Sequence, residues 1–476
     1  MRFIYCLLFQ LFLNAAMGQS STIAFSSTDT SLQNAFREAR KMALSYRGNP
    51  ADPVGPWYEA ALPSRNAFCM RDVSHQCIAA EILSMPEENK NMFTHFVSNI
   101  SDSKDWCSYW EMNIKGLPAP EDYRNDTAFW YNLNGNFDLV YASWRLFLWT
   151  GDSTYIFNPA FEKFRNISSS EFIERWILQA DSLVNRPPYP NTPLHFNLED
   201  YFHRCRGLPS YSEGVEDLRI GVDLIAALYQ GMLTCSSIEI MKGNNKAAAQ
   251  YSEKAEAYRK HLDKYWWDPS AGLYNTHITN NGVYGKGEGE TYLLWFNALT
   301  DTARIRQTLN HLAGNKWNVE NLSYHPAILY KYGYWEKAYE DILYLANPAT
   351  PRRDYPEVSY GVIDGIVQGL MGVEADARYN TIKTIYRSSN GHSATLQQLP
   401  VLQTRVTIIH EAVKSSFKNE GNKNIVWRAA FNGRHKFIYV GGRKSRAKQQ
   451  QEKMGNIVSY IDLMVAPQQQ VTAALK

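Results

Sequence analysis

The sequence predicts a mainly helical fold, an (α/α)6 toroid of six helical hairpins with a small C-terminal antiparallel β domain. Three observations support this prediction. About twelve segments with helical periodicity succeed one another. Loops rich in Gly, Pro and Asn separate them. After about residue 390 the pattern changes to short β-rich runs. Twelve helices in hairpins can close into a ring, and function is then expected in the loops at one end of the inner helices.

The helical segments follow from apolar residues at helical spacing. Between 218 and 232, the positions that recur at this spacing are Leu218, Val222, Ile225, Tyr229 and Met232. By the same criterion, the segments begin near Ser31, Val73, Lys90, Ala128, Ser169, Asp217, Lys246, Gly289, Asp301, Asn321, Tyr334 and Val358.

The C-terminal β domain is predicted from runs rich in β-branched and aromatic residues at 402–409, 425–431 and 436–440, with 457–465 closing the set. The basic stretch after Arg443 is interpreted as a solvated loop. The predicted organisation is therefore a helical domain at 19–385 and a β-rich domain at 386–476.

The first 18 residues have the pattern of a secretory signal peptide, with one basic residue, a short apolar run and small residues before a cleavage point after Gly18. Export to the periplasm or the extracellular space is expected, and no later apolar stretch predicts membrane insertion. Five cysteines remain after cleavage. They contain no CxxC pair, so a structural zinc site is not indicated, and disulfides and buried free thiols both stay open.

The composition points to one class of ligand and away from another. The net charge of +2 gives no reason to expect a nucleic-acid partner. The chain holds 13 Trp, 30 Tyr and 21 Phe. Aromatic faces stack on the C–H faces of sugar rings, so this content fits carbohydrate binding, although helical cores also use aromatic residues.

Four junctions between a loop and a predicted helix carry clustered polar residues. Their members are Arg71, Asp72, His75 and Gln76; Glu213, Glu216, Asp217 and Arg219; Glu288 and Glu290; and Glu357 and Asp364. Carboxylates are favoured at helix N-termini by the helix dipole, and simple capping would explain several of them. The N-terminal ends of inner helices can nevertheless face one another across the mouth of a ring.

Such an arrangement suits glycoside hydrolysis, which uses two carboxyl groups across one bond. In an inverting enzyme one group protonates the leaving oxygen and the other activates a water. The acid needs a raised pKa, which a neighbouring carboxylate can provide. Glu216 and Asp217 are adjacent, so either is a candidate acid.

The stretch Cys69-Met70-Arg71-Asp72-Val73-Ser74-His75-Gln76 resembles the arginine–aspartate element of the six-hairpin glycosidase superfamily. This group of inverting (α/α)6 enzymes includes bacterial exo-α-mannosidases, glucoamylases and trehalase-like hydrolases. The resemblance implies that Arg71 and Asp72 bind the hydroxyl groups of the innermost sugar. It also places the general acid in the segment with Glu216 and Asp217, and the general base at Glu357.

The sequence thus predicts an exported, exo-acting, inverting glycoside hydrolase for an oligo- or polysaccharide, with no metal or nucleotide cofactor. The other expected substrate-binding residues are His75, Gln76, Trp57, Tyr58, Trp106 and Glu290. Three alternatives stay open: a polysaccharide lyase, a disaccharide phosphorylase and a non-catalytic carbohydrate-binding protein. A lyase would use neutral or basic groups such as His195, Asn197, His203 and Arg204.

Overall fold

The computed structural model describes residues 22–215 and 217–476. The expected signal peptide at 1–18 and the candidate acid Glu216 lie outside the described residues. Helices dominate up to residue 370, and strands dominate from residue 374 onward. The mainly helical class with a C-terminal sheet domain is therefore confirmed.

Six helices form an inner ring. Each contacts the next in chain order, and the last contacts the first. Gly365–Leu370 continues the last of them as a π-helix. In ring order the six helices are Met70–Ile82, Asn134–Thr150, Val222–Met241, Glu290–Trp295, His325–Tyr332 and Pro356–Asp364.

Six further helices cover the ring on the outside. They are Thr30–Ser45, Pro86–Ser98, Pro159–Ser168, Asn245–Tyr265, Thr302–Gly314 and Trp335–Ala346. Short helices in the connections are Thr154–Phe157, Glu171–Arg175, Tyr201–Arg204 and Val319–Leu322.

Asn245–Tyr265 packs along Val222–Met241 and buries a single apolar stripe. Val222–Met241 is apolar nearly all round because it has neighbours on both sides in the ring, and most of it is buried.

The C-terminal region contains two sheets. The seven-stranded sheet has the order Ala24–Ser27, Ala394–Val401, Thr404–Glu411, Lys414–Asn419, Gln470–Ala474, Phe437–Val440 and Arg443–Arg446. The five-stranded sheet has the order Glu374–Asp376, Thr381–Ile385, Ile425–Asn432, Ile457–Val465 and Lys448–Gln451.

Three features of these sheets differ from the predicted β domain. Pairing is antiparallel except between Thr381–Ile385 and Ile425–Asn432, which run parallel. The strand Ala24–Ser27 pairs with Ala394–Val401, so the first described strand belongs to the C-terminal sheet. Strands also begin at Glu374, twelve residues before the predicted boundary.

Short strands lie in the loops before and between the helices. They are Ala67–Cys69, Glu111–Asn113, Tyr123–Asn125, Ala128–Phe129, Tyr131–Asn132, Arg206–Leu208, Leu218–Gly221, Trp267–Asp268, Leu273–Tyr274, His277–Thr279 and Tyr284–Gly285. Leu218–Gly221 pairs with His277–Thr279. The helix expected from Asp217 therefore begins only at Val222. The five cysteines between Cys69 and Cys235 are buried free thiols.

Candidate functional site

A cavity of about 620 Å³ opens at the N-terminal ends of the inner helices. Its wall receives residues from the start of, or the loop before, each of the six helices. The ring therefore brings together side chains that are far apart in sequence. Three of the predicted site residues, Arg71, Asp72 and Glu357, line this cavity.

Arg71 and Asp72 lie in the first turn of Met70–Ile82, directly after the short strand Ala67–Cys69. Arg71 Nε donates to Asp72 Oδ1 at 3.0 Å, and the guanidinium lies 5.5 Å from the centre of the Tyr211 ring. Burial raises the pKa of Asp72, and the charge of Arg71 opposes this shift. The pair presents both hydrogen-bond donors and acceptors to the cavity.

Glu357 lies in the first turn of Pro356–Asp364, where Pro356 starts the helix. Its side chain is buried, with 4% of its surface exposed. Burial raises the pKa of Glu357 to about 8, the charge of Asp72 adds to the increase, and Arg71 opposes it. Two carboxyl groups that face one cavity therefore disfavour each other's ionised form.

Glu213 is the carboxylate that the second junction contributes to the cavity. It lies in a loop at the mouth, and much of the residue is exposed to solvent. The cavity wall nevertheless removes water from its carboxyl group, which raises the pKa of Glu213. Arg71 opposes this increase and Asp72 adds to it.

Hydrogen bonds to Asp223 fix the loop that carries Glu213. Asp223 is a fully buried residue of the helix Val222–Met241. Asp223 accepts hydrogen bonds from the Tyr211 backbone N–H at 2.6 Å, from Ser210 Oγ at 2.8 Å and from Asn134 Nδ2 at 3.0 Å. A buried carboxylate that accepts three hydrogen bonds holds its donor groups firmly in position. Asp223 therefore positions the mouth loop.

The remaining wall is rich in carboxylates that are already partnered. Arg65 Nη1 lies 2.9 Å from Glu111 Oε2 and 3.4 Å from Asp122 Oδ2. Burial raises the pKa of Glu111 to about 8, with the charge of Asp122 adding to it, and burial raises the pKa of Asp122 to about 6. This cluster lies beside Trp110 and Trp130 in the wall.

On the opposite part of the wall, Glu320 binds Arg352 at 2.9 Å. Glu288 accepts from Asn318 Nδ2 at 2.7 Å and from Asn321 Nδ2 at 3.0 Å.

Acidic residues outnumber basic ones in the cavity wall, which holds seven Asp or Glu residues and three arginines. Each arginine is paired with a carboxylate. A substrate that brings a further negative charge would meet no free guanidinium, whereas neutral hydroxyl groups would meet both donors and acceptors.

Aromatic rings supply the apolar part of the lining. The rings in the wall are Trp110, Trp130, Tyr201, Tyr211, Tyr292 and Tyr355. The ring of Tyr201 lies 5.7 Å from that of Trp130 near the mouth, and Tyr201 is 47% exposed. These faces are suited to stacking on sugar rings.

Asp217 does not line the cavity. It is exposed, its φ is 56°, and its carboxylate accepts from Asn280 Nδ2 at 2.6 Å in a surface turn. The expectation that Asp217 starts an inner helix is wrong because the strand Leu218–Gly221 intervenes. The structure brings Glu213 to the cavity in its place.

Several residues expected to bind substrate also lie outside the lining. Glu290 is buried beneath the wall and pairs with His311. His75 is stacked on Tyr324 at 3.7 Å and hydrogen-bonded to Ser323 Oγ at 3.1 Å. Gln76 is fully buried in the same helix.

The three aromatic residues singled out for stacking, Trp57, Tyr58 and Trp106, lie elsewhere. Trp57 Nε1 donates to Asp52 and the Tyr58 hydroxyl donates to Asn89, so both rings are anchored in the packed core. Trp106 packs against the core and accepts at its carbonyl from Asn136. Residue type alone predicts stacking for these three residues, whereas the rings that line the cavity stand at other positions.

The ring of six inner helices, with a cavity at their N-terminal ends, agrees with the fold that the resemblance to six-hairpin glycosidases implies. Comparisons with known proteins support the same fold. A family model described as Trehalase matches residues 206–319. A comparison with curated proteins found no match.

Among solved structures, an α-L-rhamnosidase from Dictyoglumus thermophilum is similar with a TM-score of 0.59 and 12% identity over 96% of this chain and 50% of that one. A family 78 rhamnosidase of Bacillus sp. GL1 has a TM-score of 0.56 and 11% identity over 83% of this chain and 40% of that one. A human-microbiome protein described as a candidate kojibiose phosphorylase has a TM-score of 0.54 and 10% identity over 93% of this chain and 63% of that one.

This chain therefore spans about half the length of the first two rhamnosidases. The resemblance to six-hairpin glycosidases that was inferred from the arginine–aspartate element is confirmed at the level of the fold.

Proposed function

We propose that this chain is an exported, exo-acting, inverting glycoside hydrolase that removes a neutral sugar from the end of an oligo- or polysaccharide. The observation that carries the proposal is the convergence of Arg71, Asp72, Glu213 and Glu357 on one cavity of about 620 Å³. Export rests on the apolar pattern of the first 18 residues.

The carboxyl groups of Glu213 and Glu357 differ in depth, and this difference supports their proposed roles. In a pocket that holds a terminal sugar, the leaving group points to the mouth and the attacking water lies on the deep side. Glu213 at the mouth is thus the proposed general acid, and the buried Glu357 is the proposed general base.

In the proposed reaction, Glu357 acts in its ionised form, whose share grows as the pH approaches its pKa of about 8, and takes a proton from a water whose oxygen bonds to the anomeric carbon. The bond between that carbon and the leaving oxygen breaks, and Glu213 gives its proton to the leaving oxygen. Arg71 and Asp72 hold the sugar hydroxyl groups in register with this line of attack. A single displacement inverts the anomeric configuration.

The wall chemistry supports hydrolysis over the alternatives. A phosphorylase needs a free cationic site for phosphate, and each arginine of this cavity is paired with a carboxylate. The residues considered for a lyase, His195, Asn197, His203 and Arg204, do not line the cavity. His203 instead accepts from the Asn197 backbone N–H at 2.9 Å.

The test compares three isosteric variants on neutral aryl glycosides and oligosaccharides, with the product anomer read by proton magnetic resonance. Glu357→Gln and Glu213→Gln should each lower kcat by about 10²–10⁴-fold, while Asp217→Asn should leave kcat near that of the unaltered protein. Glu213→Gln should lose less on substrates with a good leaving group, because these need little protonation.

Three results would overturn the assignment. They are an unchanged kcat in Glu357→Gln, an equal loss in Asp217→Asn and Glu213→Gln, and a product that keeps its anomeric configuration. Turnover that requires added phosphate would identify a phosphorylase instead. Binding of sugar without turnover would leave the non-catalytic alternative.

A further inference from the structure

A stretch of the β domain far from the cavity residues in sequence is strongly basic. Residues 421–451 contain eight Lys and Arg and no Asp or Glu. Only Arg428 and Lys448 of this stretch form ion pairs within the described chain, both with Asp462. The other cations of this stretch are Lys423, Arg434, Lys436, Arg443, Lys444 and Arg446.

Most of these cations lie on or beside one hairpin, residues 434–446, which we call the basic hairpin. Its strands Phe437–Val440 and Arg443–Arg446 pair antiparallel, with Phe437 opposite Arg446 and Tyr439 opposite Lys444. Opposite residues of an antiparallel pair share one face of the sheet. This face therefore carries two aromatic rings and two cations side by side.

Three lysine ammonium groups lie close to the two aromatic rings of this face. Lys444 Nζ lies 4.0 Å from the centre of the Phe437 ring, and Lys436 Nζ lies 5.6 Å from the same ring. Lys476 Nζ lies 4.5 Å from the centre of the Tyr439 ring. All four basic residues on or beside the hairpin face are exposed: Lys436, Lys444, Arg446 and Lys476.

One simple role for such charges is protection of the sheet edge, because Arg443–Arg446 is the last strand of the seven-stranded sheet. Edge protection requires a charge on the edge strand. It does not require Lys436, just before the next strand, and Lys476 to lie over the same two rings, nor the absence of Asp and Glu from residues 421–451. A ligand with repeated negative charge accounts for both features.

We propose that the basic hairpin binds an anionic polysaccharide, and that the cavity removes neutral sugars from the same polymer. Residues two apart on a strand are spaced by about 7 Å, so Lys444 and Arg446 can contact successive charged groups of an extended chain. The cavity offers a charged sugar no unpaired guanidinium, whereas the hairpin would attract the charged polymer. The identification of the polymer as a polysaccharide rests on the proposed function.

The experiment measures binding of the full chain to alginate, a linear polyuronate, at low and moderate salt, with neutral dextran and duplex DNA as comparison ligands. The unaltered protein should bind alginate in preference to both. Lys444→Glu/Arg446→Glu should weaken alginate binding at least tenfold and flatten its salt dependence, because exposed charges act through screened attraction. The kcat/KM on a small neutral substrate should not change.

A matched control is Lys260→Glu/Lys264→Glu, which makes the same charge change on the exposed side of Asn245–Tyr265. Lys264 also lies over an aromatic ring, 4.6 Å from the centre of Tyr265. The control should retain alginate binding. Equal loss in both double variants, no binding by the unaltered protein, or DNA binding as tight as alginate binding would overturn the proposal.

Binding is measured without turnover, so its failure and the failure of the proposed hydrolysis are distinguishable.

Discussion

The raised pKa of Glu357 predicts that the proposed base destabilises the fold at neutral pH. The carboxyl is neutral in both folded and unfolded chains well below its ordinary pKa of 4.5, so it then has no effect on stability. Between 4.5 and about 8 it ionises in the unfolded chain while it stays protonated in the folded one. Rising pH therefore favours the unfolded state over this window.

The size of the effect follows from the two pKa values. A shift from 4.5 to about 8 is worth about 5 kcal/mol once both states are ionised, and about 3 kcal/mol at pH 7. Gln has nearly the same shape and no charge. Glu357→Gln should therefore raise the free energy of unfolding by about 3 kcal/mol at pH 7 and by less than about 1 kcal/mol at pH 5.

The assay is thermal denaturation of the unaltered and variant chains at pH 5, 7 and 8, with Tm read in the same buffers. The difference in Tm between variant and unaltered chain should widen as pH rises. The control is Glu288→Gln, because Glu288 accepts from Asn318 and Asn321 and an amide can replace only one accepting oxygen.

Glu288→Gln should lower Tm by the equivalent of about 1 kcal/mol. A Tm difference for Glu357→Gln that is the same at pH 5 and pH 8 would refute the reasoning, since the burial penalty on the ionised carboxyl is its whole basis.

Two further predictions concern the groups around the proposed base and acid. The increase of kcat/KM with pH should occur at lower pH in Asp72→Asn, because the charge of Asp72 raises the pKa of Glu357. An unchanged pH profile of kcat/KM would contradict this coupling. In Asp223→Asn an amide nitrogen would face one of the three donors, so this variant should lose about 2 kcal/mol of stability. Amide hydrogen exchange in residues 210–214 should become faster. The kcat should fall with little change in KM. Unchanged exchange in that loop would show that Asp223 does not position Glu213.

Much of the helical framework could be predicted because helical periodicity is a local property of the chain. The expected starts near Ser31 and Tyr334 fall within one residue of the helices Thr30–Ser45 and Trp335–Ala346. The strand at 457–465 has the bounds expected from its residue types. The predicted helices do not include Pro159–Ser168, although Asn158 and Pro159 at its start are a typical helix-start signal.

The candidate site could be predicted only where a residue's place in its own helix decides its place in the ring. Arg71, Asp72 and Glu357 all stand in the first turn of an inner helix. A ring directs those first turns to one mouth, so their convergence follows from topology. Glu111, Asp122 and Glu320 stand in the connections between the main helices, Glu111 in a short strand and Glu320 in a short helix, with no motif around them. Only their contacts reveal them as part of the wall.

The sequence by itself determined the class of fold and the change to strands near the C-terminus. It also determined the first helix turns that carry Arg71, Asp72 and Glu357. Each of these features depends on residues close together along the chain. The tertiary structure decided that Glu213, and not Asp217, lines the cavity. A strand that pairs with His277–Thr279 moves the start of the helix to Val222, and Asp223 draws the preceding loop to the mouth. Both interactions join residues from different segments of the chain, and such pairing leaves no periodic signal in a single sequence.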